Sequence, residues 1–156
     1  MRKIIIIFTC TIISVALMTA AGEAAERKKW GLGVIAGQPT GFTLKFMLDD
    51  ISAIDAGVGW STSGDDEFAA YGDYLYHIYD LFGAAKGQLP LYFGGGLSYI
   101  KRDSRDDKFG VRIPIGVEYL FERVPLGAFG EVVPVLNISP DTEFDLQGGI
   151  GIRFFF

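Results

Sequence analysis

The feature that most constrains this chain is an alternation of bulky apolar residues with small or charged ones. From Phe109 to Phe121 every second residue is a branched aliphatic or an aromatic residue. The residues between them are Gly110, Arg112, Pro114, Gly116, Glu118 and Leu120. Successive side chains of a strand point to opposite faces, so a period of two predicts strands with one apolar face. No stretch after residue 25 keeps a helical period, and the predicted fold class is therefore all-β.

Eight segments of this kind are separated by short runs rich in Gly, Pro, Asp and Ser. They are residues 30–36, 42–48, 54–61, 68–79, 91–100, 109–121, 126–138 and 144–156. Connections of hairpin length predict antiparallel strands that run up and down in chain order. Pro114 and Pro134 fall inside two segments, where each predicts a bulge or a lost ladder bond. The connection over residues 80–89 is the longest.

Alternation alone does not decide which face is buried. A soluble barrel turns its apolar face inward, whereas an outer-membrane barrel turns it outward to lipid. One face is uniformly bulky and would overfill an eight-stranded interior, while the Gly, Ser and few charges of the other face suit a narrow lumen. This contrast favours an eight-stranded antiparallel up-and-down transmembrane β-barrel.

The aromatic residues also sort to the strand ends. With strands running alternately up and down, one rim receives Phe42, Trp60, Tyr99, Phe109 and Phe144. The other rim receives Trp30, Tyr76, Phe93, Tyr119, Phe121, Phe154 and Phe156. Two aromatic girdles around an aliphatic band are typical of a barrel that spans a membrane.

The first residues have the three parts of a secretory signal peptide. Arg2 and Lys3 precede an uncharged, mostly apolar run over residues 4–17, and small residues follow. We expect a signal peptide over residues 1–25, cleaved near residue 21 or 25, and a barrel over residues 26–156. The apolar run is shorter than the ~20 residues of a spanning helix, which disfavours an anchor. The only cysteine, Cys10, lies in this segment, so the mature chain needs no disulfide.

Several stretches together resemble small eight-stranded outer-membrane barrels of the OmpA/OmpX kind and an uncharacterised family of short bacterial outer-membrane barrels. The resemblance covers nearly all of the mature chain, and it implies the fold but no defined activity. The stretches are residues 91–96, 110–116, 119–121, 131–134, 140–142 and 149–156.

The final residues are similar to the signal that outer-membrane barrels present to their assembly machinery. That signal has a last aromatic residue with apolar residues at alternating positions before it, and Ile152, Phe154 and Phe156 match it. The alternative is an ordinary strand without this role. The resemblance implies the barrel assembly machinery as a partner during insertion.

The inward face is predicted to carry a cluster of charged side chains. They are Lys45, Asp55, Asp73, Arg112, Glu118, Glu131, Asp145 and Arg153. Unpaired charges are costly in a narrow lumen, so we expect a cross-strand network with arginines on carboxylates. Eight strands enclose room for little more than side chains, which favours a structural plug over a conduction path.

No catalytic, cofactor-binding or metal-binding residue is predicted. His77 is the only histidine, alternation places it inward beside Asp73, and no serine lies within a turn of it. No set of residues has zinc spacing, and the acidic loops at 64–67 and 103–107 lack the pattern of a calcium loop. The formal net charge of −5 and the absence of a basic patch argue against nucleic acid.

The sequence thus predicts an integral outer-membrane protein, exported through the periplasm, that is not an enzyme and has a structural or surface-interaction role. The expected partners are outer-membrane lipid and lipopolysaccharide, and the expected state is a monomer. Two alternatives stay open: a soluble periplasmic barrel that binds an apolar ligand, and an outer-membrane enzyme that modifies lipid.

Overall fold

The computed structural model describes residues 28–61, 67–83, 87–103 and 106–156, and this part of the chain folds into β-strands. The strands are β1 (Trp30–Gln38), β2 (Thr40–Met47), β3 (Ser52–Ser61), β4 (Glu67–Ile78), β5 (Leu91–Arg102), β6 (Lys108–Arg112), β7 (Ile115–Leu120), β8 (Leu126–Ser139) and β9 (Glu143–Phe155). The predicted signal peptide over residues 1–25, with Cys10, lies outside the described residues. No helix in the described ranges is long and apolar enough to span a membrane.

The strands form one closed antiparallel ring. Each strand from β1 to β5 pairs with the next along the chain, and β9 pairs with both β8 and β1. Strands β6 and β7 both lie between β5 and β8 and keep a common register with β5, so they are two halves of one barrel strand. The eight-stranded up-and-down barrel is confirmed, and within the described ranges closure pairs both edges of the sheet.

Pro114 and Pro134 each remove one hydrogen bond from the strand ladder. The strand breaks at Pro114, between β6 and β7, although Pro114 still accepts a bond from the Gly94 amide at 2.9 Å. Pro134 stays in regular register within β8 and accepts a bond from the Ile113 amide at 2.9 Å. The register shift of this region lies instead between Phe109 and Gly110. Neither proline therefore marks a bulge; each only lacks the N–H that a ladder needs.

The apolar row of each strand points outward. In β9, Phe144, Leu146, Ile150 and Ile152 are each exposed over more than half of their surface. In β8, where both faces are apolar in sequence, Val132 and Leu136 point outward while Val133 and Val135 are buried inside. The barrel is thus inverted relative to a soluble one, with its apolar rows on the outside and charges within.

Aromatic side chains lie at both ends of this outer surface. At the end we name the Trp60 rim, exposed aromatic rings come from Phe42, Trp60, Tyr99, Phe109 and Phe144. At the opposite end, the Trp30 rim, they come from Trp30, Tyr76, Phe93, Phe121 and Phe156. Tyr119 and Phe154, also predicted there, are half-buried against their neighbours.

One expectation about the lumen is wrong. The inward face was expected to carry small residues and a few charges, but it also holds the large side chains of Tyr71, Leu75, Tyr92 and Phe129. They fit because each of them has a glycine among its cross-strand neighbours, and glycine has no side chain to occupy the same space. The lumen is therefore packed with side chains as well as charged.

Candidate functional site in the barrel lumen

Strand register brings the inward charges to one level of the lumen. Lys45 on β2 is the direct cross-strand partner of Asp55 on β3, and Asp55 is the partner of Asp73 on β4. The row continues from Asp73 through Gly96 on β5 to Arg112 on β6. Because direct partners in an antiparallel pair have Cβ atoms about 5 Å apart, charges far apart in sequence become neighbours.

One group of charges centres on a single guanidinium, and we name it the Arg153 cluster: Lys45, Asp55, Glu118 and Arg153. Arg153 donates through Nη1 to Glu118 Oε1 at 3.1 Å and through Nη2 to Asp55 Oδ2. Lys45 Nζ donates to the other oxygen of Glu118. All four side chains are buried. Each carboxylate has a cation partner, as a buried ion pair requires.

A hydroxyl completes this cluster. Thr43 Oγ1 accepts from Arg153 Nη2 at 3.0 Å and donates to Asp55 Oδ1 at 2.8 Å. Thr43 therefore bridges the guanidinium of Arg153 and the carboxylate of Asp55, two groups that are also in direct contact with each other. Arginine suits this position because its planar group presents several donors in fixed directions.

A second group, the Arg112 cluster, contains Arg112, Asp73 and Glu131. Arg112 Nε lies 3.0 Å from Asp73 Oδ2, and Arg112 Nη2 lies 3.7 Å from Glu131 Oε1. The hydroxyl of Tyr92 donates to Glu131 Oε2 at 2.8 Å. One guanidinium thus serves two carboxylates, whereas the Arg153 cluster has one cation for each.

Three inward aromatic rings connect these clusters to the barrel wall. Arg112 Cζ lies 3.9 Å from the centroid of Tyr71, and Arg153 Cζ lies 3.8 Å from that of Phe129. Lys45 Nζ lies 5.1 Å from the centroid of Tyr92. Each of the three cations in these clusters therefore lies over an aromatic face, which attracts it electrostatically.

Each of these rings has a glycine as a direct cross-strand partner. Gly57 faces Tyr71, Gly116 faces Tyr92 and Gly151 faces Phe129. A Cβ on any of the three glycines would collide with atoms of the ring. Aromatic side chains that cover cross-strand glycines are a known means of stabilising a curved sheet. Here they also bring an aromatic face to each buried cation.

The structure brings seven of the eight predicted lumen charges into these two clusters. Asp145 is the exception, because it is half-exposed and makes no ion pair with another described residue. Sequence reasoning missed Thr43, Tyr71, Tyr92 and Phe129. All four lie at inward positions of the alternation, and the three aromatic residues oppose glycines, a signal that becomes readable once the register is known.

His77 is inside the barrel near the Trp30 rim. Its side chain is buried, its Nδ1 lies 3.1 Å from the carbonyl oxygen of Ile51, and its ring contacts Tyr79 and Tyr92. A recess of about 550 Å³ opens at this rim, and its lining includes Glu118 of the Arg153 cluster. Among the described residues no group of three or more acidic, histidine or cysteine side chains is arranged to hold a metal ion.

The charged side chains of the lumen therefore form a network of buried ion pairs. Two guanidinium groups and one ammonium join carboxylates from β3, β4, β7 and β8. These ion pairs cross the lumen and connect strands that are not neighbours in the ring, such as β2 with β7 and β3 with β9. Such cross-links add to ladder hydrogen bonds, which join only neighbouring strands.

A solved structure with a similar fold is the N-terminal β-barrel domain of Pseudomonas aeruginosa OprF. It is 18% identical to the chain, with a TM-score of 0.67, and the match covers 83% of this chain and 98% of that domain. No protein-family model matches the chain, and no curated protein matches it in sequence. At this identity the likeness shows the fold alone, and in that sense the predicted resemblance to small eight-stranded barrels is confirmed.

Proposed function

We propose that this protein is an integral β-barrel of the bacterial outer membrane with a structural or surface-interaction role and a plugged lumen. The single observation that carries the proposal is the inversion of the barrel, with apolar rows on its outer surface and ion pairs inside. In water, charged side chains are more stable on the outer surface, and apolar rows exposed there carry a large cost in free energy. A hydrocarbon surround reverses both preferences.

The distribution of aromatic rings supports the same location. Trp60 and Trp30 lie at opposite rims, and both indole side chains are exposed. Amphipathic rings favour the two interfaces of a bilayer, with an aliphatic band between them. In the closed ring each barrel strand also pairs with a neighbour on both sides, as the strands of a sheet that spans a bilayer must.

The plug follows from the packing of the lumen. Arg112 and Arg153 are almost completely buried, and each contacts an aromatic ring and carboxylates on other strands. An eight-stranded barrel has an interior that side chains alone can fill. A solute path would have to break several buried ion pairs together, so the arrangement favours a structural role for the network.

Two alternatives have less support. A soluble binder of apolar ligands needs an apolar cavity inside, and this lumen holds charges and rings instead. A lipid-modifying enzyme needs its histidine on the lipid face, whereas His77 points inward and is buried. The soluble alternative also leaves the apolar outer rows unexplained.

The remaining assignments are part of the proposal. The chain is exported through the periplasm, it is a monomer, and outer-membrane lipid and lipopolysaccharide surround it. The row of Ile152, Phe154 and Phe156 is its signal for the barrel assembly machinery. In the structure this row lies along β9 and its continuation at the Trp30 rim, with Ile152 and Phe156 exposed.

Fractionation tests the location. We expect the protein in the outer-membrane fraction, resistant to extraction by alkaline carbonate or urea and released by detergent. The unboiled sample should migrate differently from the boiled sample on a gel, because a closed barrel stays folded in detergent. Recovery in the soluble periplasm without detergent would contradict the proposal.

A further inference from the structure

The buried charges of the lumen do not balance. Among the described residues the buried cations are Lys45, Arg112 and Arg153, and the buried carboxylates are Asp55, Asp73, Glu118 and Glu131. Three positive charges against four negative ones leave an excess of one negative charge. An uncompensated carboxylate is costly in a site shielded from water, so the lumen requires one more positive charge.

The excess lies in one of the two clusters. The Arg153 cluster has two cations, Lys45 and Arg153, for two carboxylates, Asp55 and Glu118. The Arg112 cluster has one cation for two carboxylates, at 3.0 Å from Asp73 and 3.7 Å from Glu131. The missing positive charge therefore belongs beside Arg112.

The surroundings of Asp73 give a second, independent indication. Its Oδ1 is buried and has no hydrogen-bond partner among the described residues. Its direct partner on β3 is another carboxylate, Asp55, and its partner on β5 is Gly96, which has no side chain to donate a bond. Like charges directly opposite each other are unfavourable, and an unsatisfied buried oxygen adds to that cost.

No nearby side chain supplies the charge. Lys45 on β2, Glu118 on β7 and Arg153 on β9 belong to the balanced cluster, and Asp145 on β9 is a further acid. Tyr71 on β4 and Tyr92 on β5 contribute a neutral ring and a neutral donor. His77 has no carboxylate within ion-pair distance among the described residues, so its protonation would create another unpaired charge.

We propose that the Arg112 cluster binds one proton, which the carboxyl groups of Asp73 and Glu131 share. Two carboxylates beside one cation keep one proton on one or the other of them, because the second negative charge is unfavourable there, and the pair then titrates as a unit. A metal ion is a poorer fit, since no group of three or more ligating side chains is present in the described ranges. The inference does not depend on the membrane location, because the cluster is buried within the barrel itself.

The proton has a consequence for stability. An unfolded carboxyl group releases its proton near pH 4. Above that pH the folded barrel holds one proton more than the unfolded chain at this pair. The contribution of the pair to stability is therefore complete below about pH 4 and declines as pH rises above it. When the pair releases its proton in alkali, Arg112 lies between two ionised carboxylates.

Infrared spectroscopy of the full chain in detergent tests this directly. At neutral pH we expect the carbonyl stretch of one protonated carboxylic acid, absent from Asp73→Asn and from Glu131→Gln, since either change restores one cation to one carboxylate. Asp145→Asn, outside both clusters, is the matched control and should keep the band. A native protein without the band, or a band that survives in both variants, overturns the proposal.

Thermal unfolding supplies a second readout that a merely structural role would not produce. Asp73→Asn should unfold at the same temperature as the native chain or a higher one, with a weaker decline in alkali. Asp55→Asn, in the balanced cluster, should unfold several degrees lower. Equal losses in both variants contradict the proposal. Replacement of sodium and potassium in the buffer by a large organic cation should leave the unfolding temperature of the native chain unchanged. A lower unfolding temperature in that buffer would assign the missing positive charge to an alkali ion instead of a proton.

Discussion

The guanidinium carbon of Arg153 lies 3.8 Å from the centroid of the Phe129 ring, with the ring placed against the backbone of the neighbouring strand. The position is available only because the cross-strand partner of Phe129 is Gly151. Glycine, aromatic ring and cation thus form one unit, which recurs around Tyr71 and Tyr92. Glycine in this barrel serves to make room for rings as much as to permit curvature.

We therefore predict that Gly151→Ala destabilises the barrel by about 1–3 kcal/mol, the usual cost of overpacking a filled interior. The added methyl group would collide with the backbone oxygen of Val34 and with the Phe129 ring, and it would displace the ring from Arg153. Urea unfolding in detergent, followed by tryptophan fluorescence, measures the change. Gly72→Ala is the matched control, because a Cβ at Gly72 meets no atom within 4 Å. Equal stability of the two variants would contradict this account of the lumen.

Glu118→Gln should cost about 3–5 kcal/mol, the range for breaking a buried ion pair from one side. Glu118 accepts from both Lys45 and Arg153, so the change leaves two buried cations with one carboxylate. The same substitution at Glu143 is the control, since that residue pairs with Lys108 at 3.0 Å on the surface. We expect Glu143→Gln to leave the unfolding midpoint unchanged. A Glu118→Gln barrel as stable as the native one would refute the plug.

Ile150→Arg tests the outer surface. Ile150 is 70% exposed and lies midway along β9. An arginine near the middle of a bilayer costs a barrel about 2–4 kcal/mol. We expect reduced insertion into lipid vesicles for Ile150→Arg and normal insertion for Asp141→Arg, which places the same charge in the β8–β9 turn. If both variants insert equally well, the outer row does not face lipid.

The strands and their faces could be predicted from the sequence because both depend on local information. Alternation assigns each residue to a face, and Gly, Pro and Asp mark the turns. The contacts across the lumen could not be predicted this way. Arg153 meets Thr43 across 110 residues of sequence, and their proximity depends on the stagger of strands that are not neighbours.

Two other misses have the same cause. Asp145 shares the inward parity of the lumen charges, but its place along β9 leaves it half-exposed and outside both clusters. Tyr71, Tyr92 and Phe129 break the simple contrast between a bulky and a small face. Their room comes from glycines on adjacent strands, so the register must be known before the three aromatic residues can be placed.

The β2–β3 turn provides a prediction on pH. Asp49 Oδ1 accepts from the amides of Ile51 at 2.9 Å and Ser52 at 2.7 Å. These bonds, the Ile51 amide foremost, lower the pKa of Asp49 below its usual 3.8. Because the folded pKa is the lower one, the stabilisation is present above pH ~4 and is lost as pH falls through the folded value.

Asp49→Ala should therefore be less stable than the native chain at neutral pH, and the difference should shrink in acid. Asp49→Asn, which keeps an acceptor oxygen without the charge, should lie between the two at neutral pH. Thermal unfolding from pH 7 down to pH 3 measures both variants. A difference between Asp49→Ala and the native chain that is constant across this range would exclude the ionised carboxylate as its source.

Depth-dependent quenching of tryptophan fluorescence tests the central claim most directly. The chain has two tryptophans, Trp30 and Trp60, on opposite rims of the outer surface. Trp30→Phe and Trp60→Phe give single-tryptophan proteins, each reconstituted into vesicles whose lipids carry bromine at known depths. We predict that shallow bromines quench both indoles more strongly than bromines at the bilayer centre. Indoles insensitive to bromine at every depth would contradict a membrane-spanning barrel.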